Sequence, residues 1–266
     1  IPTTAWPCAT LLACSWNPEL VYDVGAAGGA EVRENNLGIW LTPAMNIHRD
    51  PLCGRNFEYY SEDPLLAGKC AAAATRGIQS QKVAVSVKHF ACNNKEANRF
   101  GCDSRVSERA LREIYLKGFE ICVKDAKPLT IMTSYNKING VWGHYHYDLC
   151  TRILRNEWGF GGLVMTDWGA MNDRIKAFQA GCDLNMPGAN TYMEKKLLKA
   201  VNEGLLDEKD INQSVERILA LIQSVSDLEK IDEKSDNHQL ARKVAEEGAV
   251  LLKNEGILPL NTEDIC

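Results

Sequence analysis

Strand-like and helix-like segments alternate along most of this chain. Apolar runs typical of buried strands occupy residues 38–43, 83–90, 129–135, 163–167 and, more briefly, 182–188. Helical candidates separate these runs and continue after them, at 17–35, from 63 onward, and at 107–126, 147–159, 171–180, 190–204, 208–225 and 236–253. Such alternation is the pattern of βα units whose strands form one parallel sheet. The 266 residues match the size of one α/β barrel, typically about 250 residues, although the five readable strands are fewer than eight.

The four longer strand candidates turn polar where they end. These ends are Pro43 leading to HRDPLCGRNFE, Lys88-His89, Thr133-Ser134-Tyr135 and Thr166-Asp167-Trp168. In a parallel barrel the carboxyl ends of all strands meet on one face, where barrel enzymes carry their active sites. We therefore expect these sequence-distant residues to be neighbours. For Asp167, which ends the apolar run of GGLVMTDWGA, this favours a chemical role over the turn or helix cap that an Asp usually forms.

The polar residues predicted at this face form a mixture suited to sugars. Hydroxyl groups need many fixed donors and acceptors, whereas the C–H faces of a sugar ring pack on aromatic rings. The candidate donors, aromatic platforms and acceptors are, in that order, Arg55, Lys88, His89 and Arg99, then Tyr135 and Trp168, then Glu58 and Asp167. A cationic surround is also expected to keep the Asp167 carboxylate ionised, as a nucleophile requires.

Composition argues against several other classes of function. A net charge of −5 gives no reason to expect nucleic acid or an anionic membrane as a partner, and no apolar run reaches the roughly 18 residues of a spanning helix. The ten cysteines are scattered without a CxxC pair, which favours free thiols in a reducing, cytoplasmic location, with secretion as the alternative. We expect neither a metal nor a cofactor. Because the sequence begins without Met and ends after the linker-like KNEGILPLN, we expect a piece of a longer protein.

Long motifs in a fixed order make the interpretation specific. They are PAMNIHRDPLCGRNFEYYSEDP, VKHFACNNKEANRFGCDSRVSERALREIYLKGFE, MTSYNKING, LRNEWGFGGLVMTDWGA and AGCDLNMPG, and they span most of residues 1–190. This order resembles the N-terminal catalytic domain of the glycoside hydrolase family 3 β-glucosidases. The resemblance implies an α/β fold, a (β/α)8 TIM-like barrel over residues 1–230. A helix and linker over 231–266 would then lead toward the family's second, α/β sandwich domain, which the chain lacks.

The resemblance also implies roles for individual residues. Asp167 in VMTDW matches the nucleophile of a retaining mechanism, which forms a covalent glycosyl-enzyme. The positions that hold the non-reducing terminal sugar in the family match Arg55, Lys88, His89, Arg99, Tyr135 and Trp168. The implied activity is that of an exo-acting retaining β-glycosidase, a β-glucosidase whose partners are small carbohydrates such as β-glucosides and oligosaccharides.

Two parts of the family pattern are absent from the chain. A DGPxG-like motif and the first barrel strand would precede Ile1, so the barrel is expected to be incomplete at its N-terminus. The general acid/base, a Glu of the second domain, would follow Cys266, so we expect a missing second domain or a partner chain to complete the site. The loop His that serves this purpose in N-acetylglucosaminidases of the family needs a GHG that KHFACNNKEANRFGCDS lacks.

Several alternatives stay open at the level of sequence. The chain could represent a β-xylosidase or mixed-specificity glycosidase of the same family, or an inactive sugar-binding fragment. Lys88 could form a Schiff base, as barrel lysines do in aldolases. His144 and His146 have the spacing of a metal-binding pair on a strand, although a loop or the rim of a subsite is favoured because no third ligand is near. Asp183 is interpreted as a structural acid or one that supports the site from behind.

Overall fold

The computed structural model describes residues 3–188, 191–226 and 236–261. Its helices are α1 (Ala9–Cys14), α2 (Pro18–Glu34), α3 (Pro64–Ser80), α4 (Glu108–Ala110), α5 (Lys117–Ala126), α6 (Arg174–Gln179), α7 (Thr191–Asn202), α8 (Glu208–Ser226) and α9 (His238–Gly248). Its strands are β1 (Ile39–Trp40), β2 (Ala84–Phe90), β3 (Asp103–Ser104), β4 (Thr130–Thr133), β5 (Lys137–Ile138), β6 (Val141–Trp142) and β7 (Leu163–Met165). Short 3₁₀ turns lie at Asn56–Glu58 and Gly143–Tyr145, and π-helical segments lie at Leu111–Tyr115 and Asp148–Glu157.

Four strands form one parallel sheet in the order β1-β2-β4-β7. Thr130 of β4 lies opposite both Ser86 of β2 and Leu163 of β7, so the carboxyl ends of these strands lie at one edge. Leu184 adds a fifth segment through a single parallel bridge to Met165. The predicted strands at 83–90, 129–135 and 163–167 are confirmed, whereas 38–43 shortens to β1 and 182–188 to this bridge. A parallel sheet with helices outside it is the wall of a TIM-like barrel.

The predicted helix starts at Asn17, Asp63 and Ser107 are N-caps in the structure. Their side chains accept hydrogen bonds from the backbone N–H three residues further on, at 3.1, 2.7 and 3.3 Å. Caps of this kind each stabilise a helix by about 1 kcal/mol. Pro18 and Pro64 occupy the first helical position, where no intrahelical partner for an N–H exists. Local sequence therefore places these helix starts before any tertiary contact is considered.

Helices α2 and α3 pack closely through small residues. A side chain at Gly77 would overlap the carbonyl oxygen of Tyr22, and one at Gly25 would come within 2.6 Å of the carbonyl oxygen of Ala74. The alanine run 71–74 of α3 is also buried. Because backbones can approach this closely only where side chains are short, the glycines and alanines of the two helices are packing residues.

Two features of the fold are not predicted by the sequence. A small sheet joins β3, β5 and β6, with β3 parallel and β6 antiparallel to β5. Each of these strands is two residues long, too short for an alternating pattern to be visible. The second feature is the π-helical geometry within the predicted helices 107–126 and 147–159. Neither feature changes where the strands of the main sheet end.

Helix α8 covers one face of the main sheet. Its Leu221 forms a buried cluster with Ala84, Met132 and Met165 of β2, β4 and β7. Val85 and its neighbours on the opposite face of the sheet belong instead to the large core formed with the outer helices. Successive strand residues face opposite sides, so this division follows from the period of two along each strand.

Helix α9 belongs to the segment 231–266 that the sequence separates from the barrel. Val244 is buried in the main core. Asn17 Nδ2 donates to Glu247 at 3.1 Å, and Asn237 Nδ2 donates to Glu31 at 2.8 Å, so the helix is held against α2. Residues 227–235 and 262–266 lie outside the described residues, and the domain boundary at 230 stays a prediction.

The described cysteines are free thiols. Burial raises the pKa of the Cys70 and Cys122 thiols to about 12, so these groups pack in the core and are poor nucleophiles. Across the described ranges, the helices are all too short or too polar to cross a lipid bilayer.

Candidate active site

The carboxyl ends of β2, β4 and β7 bring polar residues together at one edge of the sheet. Lys88 and His89 lie near the end of β2, Tyr135 lies two residues after β4, and Asp167 and Trp168 follow β7. Because the three strands pair in parallel, their ends are adjacent in space. The structure therefore assembles the group that the strand-end pattern predicts, and the loop residues Arg55 and Arg99 join it through ion pairs described below.

Asp167 is the central carboxylate of this group. The residue is buried, with 8% of its surface exposed. Oδ1 accepts the backbone N–H of Trp168 at 2.7 Å, whereas Oδ2 has no hydrogen-bond partner in the described part of the chain. Burial raises the pKa of the Asp167 carboxyl, and the Trp168 N–H, the Tyr135 hydroxyl, Arg55 and Lys88 oppose that rise. The expected cationic surround is present, but desolvation outweighs it, so the net shift is upward.

His89 faces Asp167 from the end of β2. Its Nε2 lies 3.7 Å from Asp167 Oδ2, which is too long for a hydrogen bond. The Tyr59 hydroxyl lies 3.3 Å from Nδ1, and the Asn46 side chain pairs twice with the His89 backbone at 2.9 Å. Burial and the neighbouring cations lower the pKa of His89 well below its ordinary value. The ring is therefore neutral near neutral pH, and its contact with Asp167 is not an ion pair.

Two carboxylates hold the cationic donors of the site. Glu58 pairs with Arg55 through Oε1, and its Oε2 lies 3.5 Å from Lys88 Nζ. Glu96 lies 3.1 Å from Arg99 Nη1 and 4.0 Å from Arg55 Nε. Both oxygens of Glu58 thus face cations, and its role as an acceptor for substrate stays a prediction. Its role in this structure is to orient them.

Sequence reasoning missed Glu96 and Asn93. Asn93 Nδ2 donates to Glu96 Oε1 at 3.1 Å and to the Tyr59 hydroxyl at 3.1 Å, which connects the ion pairs to the His89 side of the site. The sequence did contain one signal for Glu96. In EANR its acid lies three residues before Arg99, the same spacing of opposite charges as Arg55 and Glu58 in RNFE. Such spacing in a loop is common, so it becomes informative only once the two loops are known to meet.

The ion pair with Glu58 also bears on the Schiff-base alternative for Lys88. A Schiff-base lysine is activated by an apolar pocket or by another cation nearby. Lys88 Nζ instead faces a carboxylate oxygen at 3.5 Å. This pairing favours Lys88 as a charged hydrogen-bond donor.

Tyr135 and Trp168 offer different surfaces. Tyr135 is buried, its hydroxyl donates to the Trp168 carbonyl at 2.7 Å, and burial raises its pKa to about 12. The Arg99 guanidinium lies 4.6 Å from the Tyr135 ring, and the Phe100 ring lies 4.5 Å from it. Trp168 is 62% exposed. The expected flat platform is therefore available on Trp168, whereas the Tyr135 ring is already covered.

Asp183 belongs to a separate, fully paired cluster. Its side chain is completely buried and lies 2.7 Å from both Arg155 Nη2 and Arg217 Nη1. It also accepts hydrogen bonds from the Ser214 hydroxyl at 3.0 Å and from the Val164 N–H at 2.8 Å. These contacts tie β7 to α8 and to the π-helix at Asp148–Glu157, which is the structural role expected for this residue.

His144 and His146 do not act together. His144 is fully buried, and its Nε2 lies 3.0 Å from Asn172 Oδ1. Across the described residues, no group of three or more His, Cys, Asp or Glu side chains could hold a metal ion. His144 lies in the 3₁₀ turn Gly143–Tyr145, and its proposed place in a loop or at the rim of a subsite stays a prediction.

A cavity of about 610 Å³ lies at the opposite, amino-terminal edge of the sheet. Leu129, Gly162 and Leu163 line it next to Leu221 of α8. The predicted site residues are all absent from its lining. Despite its volume, it is not the candidate site.

Comparison with known proteins identifies the family. The family described as glycosyl hydrolase family 3 N-terminal domain matches residues 2–221. Thermostable beta-glucosidase B of Acetivibrio thermocellus is 48% identical over 264 residues, which are 98% of this chain and 35% of that protein. The exo-alpha-(1->6)-L-arabinopyranosidase of Bifidobacterium longum is 44% identical over 271 residues, which are 100% of this chain and 36% of that protein.

A solved structure shows the same fold. Beta-glucosidase 3B from Thermotoga neapolitana in complex with glucose matches with a TM-score of 0.93 and 46% identity, over 97% of this chain and 38% of that one. The chain thus spans about a third of the length of these curated relatives. It belongs to glycosyl hydrolase family 3, and its described residues form part of the TIM-like N-terminal barrel domain of that family.

Proposed function

We propose that the protein containing this chain is an exo-acting retaining β-glycosidase, a β-glucosidase that releases terminal non-reducing β-D-glucosyl residues. The observation that carries the proposal is Oδ2 of Asp167, a buried carboxylate oxygen at the carboxyl end of β7 without a hydrogen-bond partner among the described residues. Relatives named beta-glucosidase support glucose as the sugar.

In the proposed first step Asp167 is the nucleophile. Oδ2 forms a bond to the anomeric carbon while the bond from that carbon to the leaving oxygen breaks, through an oxocarbenium-like transition state. The Trp168 N–H holds Oδ1 at 2.7 Å, which fixes the rotation of the carboxylate and leaves Oδ2 free to react. In the second step water attacks the same carbon, Asp167 leaves as the carboxylate, and the released sugar retains its β configuration.

The donors around Asp167 are proposed to bind the hydroxyls of the sugar. His89 Nε2 lies 3.7 Å from Asp167 Oδ2, so a sugar bound at the proposed nucleophile would lie beside the His89 ring. The cationic donors are held by Glu58 and Glu96 before any sugar arrives. Donors oriented in advance stabilise charge that develops in the transition state without having to reorganise.

The acid/base of this mechanism is proposed to lie outside the chain. A retaining enzyme needs a second carboxyl group roughly 5–5.5 Å from the nucleophile, which protonates the leaving oxygen in the first step and takes a proton from the attacking water in the second. Glu58 and Glu96, the carboxylates of the charge network beside Asp167, are occupied by the cationic donors. Because the chain spans about a third of its curated relatives, a further domain of the full-length protein or a partner chain is the proposed source.

Trapping the glycosyl-enzyme in the full-length protein tests the nucleophile. A 2-fluoro glucosyl donor with a good leaving group should stop turnover, because the fluorine slows release of the intermediate more than its formation. Peptide mass spectrometry should then find one fluoroglucosyl group on Asp167. Continued hydrolysis of an aryl glucoside without any label on Asp167 would contradict the proposal.

The alternative of an inactive sugar-binding fragment is tested with the 266-residue chain alone. An activated aryl glucoside needs little acid assistance in the first step. A working nucleophile should therefore release about one equivalent of phenol in a burst, followed by slow turnover. Glucose binding without a burst would favour the sugar-binding fragment.

A pentopyranosidase is the second candidate function. The Bifidobacterium longum relative named exo-alpha-(1->6)-L-arabinopyranosidase is 44% identical over this whole chain, which favours it. Xylosides and arabinopyranosides lack the hydroxymethyl group that glucosides carry. The ratio of kcat/KM for nitrophenyl β-glucoside, β-xyloside and α-L-arabinopyranoside decides between a β-glucosidase, a β-xylosidase and a mixed-specificity enzyme.

A further inference from the structure

The loop between β7 and α6 carries Asp167 and Trp168. Hydrogen bonds hold it against neighbouring elements. The Gly169 N–H donates to the Met186 carbonyl at 2.7 Å, and the Tyr135 hydroxyl donates to the Trp168 carbonyl at 2.7 Å. Both contacts hold the first half of the loop. In the second half of the loop, the side chain of Asn172 forms a hydrogen bond with His144, which lies 28 residues earlier in the chain.

His144 has a well-defined position beside the end of β4. It lies in the 3₁₀ turn Gly143–Tyr145, and its ring is fully buried between Trp142, at 6.4 Å between centroids, and Tyr145, at 5.0 Å. A side chain at Gly143 would come within 3.1 Å of Ser134 Oγ, so the turn packs directly on the segment that follows β4. The imidazole is therefore a fixed point from which the loop can be held.

The hydrogen bond between His144 and Asn172 has a defined direction. Asn172 Oδ1 can only accept, so His144 Nε2 carries the hydrogen. Nδ1 is buried and has no hydrogen-bond partner within the described residues. Burial lowers the pKa of His144 below its ordinary value, which keeps the ring neutral at neutral pH. Loss of the Asn172 amide would leave both ring nitrogens unpaired, which is costly for a buried group.

We propose that His144 is a positioning residue for the nucleophile, and that its hydrogen bond to Asn172 holds the loop 167–172 so that Asp167 Oδ2 faces the anomeric carbon. This inference rests on the proposed function. Displacement of a reacting group by about 1 Å can cost as much as 10²-fold in rate. Asn172 is exposed and the bond is a single neutral one, so the expected loss is smaller, about tenfold.

Variants of the full-length protein test the proposal. His144→Ala and Asn172→Ala should each lower kcat about tenfold while KM stays within about threefold, because the sugar-binding residues keep their places. The rate of labelling by a 2-fluoro glucosyl donor should fall in parallel. The swap H144N/N172H keeps the summed length of the two side chains and reverses the bond, so it should restore kcat to within about threefold of the unaltered protein.

His146→Ala is the matched control. His146 lies two residues from His144 and has no described side-chain contact with the loop 167–172, so its variant should keep its kcat. A kcat within about twofold of the unaltered protein in both His144→Ala and Asn172→Ala would overturn the proposal. An equal loss in His146→Ala with a lowered Tm would also overturn it, because the turn would then act through stability alone.

A variant that keeps a donor covers the case in which His144→Ala does not fold. His144→Gln can still donate to Asn172 Oδ1, so high kcat in His144→Gln with low kcat in Asn172→Ala supports the proposal, and equal kcat in the two overturns it. Failure of the unaltered protein to hydrolyse any aryl glycoside would contradict the proposed function instead, which separates the two failures.

Discussion

Asp167 and Asp183 are two buried aspartates next to strand β7, one after its end and one beside its middle residue. Asp183 accepts the Val164 N–H inside β7 and is further paired with Ser214 and two arginines, so both of its oxygens are satisfied. Asp167 follows the carboxyl end of β7, and its Oδ2 has no partner in the described part of the chain. Buried polar groups in proteins are nearly always hydrogen-bonded. The difference separates an aspartate that holds the fold together from one whose free oxygen is available for the proposed chemistry.

The largest expected effect comes from removing the unpaired aspartate. Asp167→Asn should lower kcat by about 10⁴-fold or more, the order of loss when a covalent nucleophile is removed. The free energy of unfolding should stay the same or rise slightly, because a poorly paired buried charge is gone. Hydrolysis of an aryl glucoside and urea unfolding measure the two quantities. A variant that keeps more than about a hundredth of the activity would remove Asp167 from the nucleophile's role.

Removing the paired aspartate should have the opposite signature. Asp183→Ala leaves Arg155 and Arg217 without their buried partner, so the free energy of unfolding should fall by about 3–5 kcal/mol, while the folded fraction keeps its kcat. Urea unfolding at neutral pH measures the loss.

The exposed ion pair between Lys69 and Asp125 provides the control for this measurement. Asp125→Ala should change the free energy of unfolding by no more than about 1 kcal/mol, because solvent screens the pair. Equal losses of unfolding free energy in Asp125→Ala and Asp183→Ala would show that burial of the charge does not decide how much stability an ion pair contributes.

A smaller effect is expected from the carboxylate that orients the arginines. Glu96→Gln keeps the size of the side chain but weakens its hold on Arg99 and Arg55, so KM should rise about tenfold, with a change in unfolding free energy below about 1 kcal/mol. Steady-state kinetics with an aryl glucoside measures KM. Glu113→Gln, on an exposed helix face, is the control, and an equal rise in KM in that variant would argue against a role for Glu96 in the site.

The smallest effect concerns pH. The pKa of Asp167 is raised above 3.8, so the acid limb of kcat/KM should lie above that value, since the nucleophile must be ionised. A carboxyl whose pKa is higher in the folded than in the unfolded state favours folding below its unfolded pKa, and this contribution is lost as pH rises through the folded pKa. Asp167→Asn should therefore gain stability relative to the unaltered protein between about pH 4 and neutrality. A constant difference across this range, in urea unfolding, would contradict the upward shift.

The elements of the fold that could be predicted are those governed by neighbouring residues. Asn17, Asp63 and Ser107 cap their helices through contacts three residues away, so the sequence contains the whole interaction. The apolar run before Asp167 likewise predicts a strand and the edge at which it ends. The pairing of β3 with β5 in the small sheet carries no such local signal, because it joins segments about 35 residues apart.

The candidate site divides in the same way. Its members at strand ends were predicted, because parallel strands necessarily bring those ends together. The ion pairs of Glu58 with Lys88 and of Glu96 with Arg55 were not predicted, because each depends on a cation from a distant part of the chain. The contact between His144 and Asn172 also escaped prediction, because it joins residues 28 positions apart in the chain.

The sequence by itself determined the family, the order of the strands of the main sheet and the helices between them, and the set of residues that could meet at the mouth of the barrel. Only the tertiary structure decided which carboxylate stays free, which is held by cations, and in which direction the pKa of Asp167 moves. The reason is the range over which each effect acts. Helix caps and strand alternation depend on residues a few positions apart, whereas desolvation and charge pairing depend on atoms that only the folded chain brings within a few ångströms.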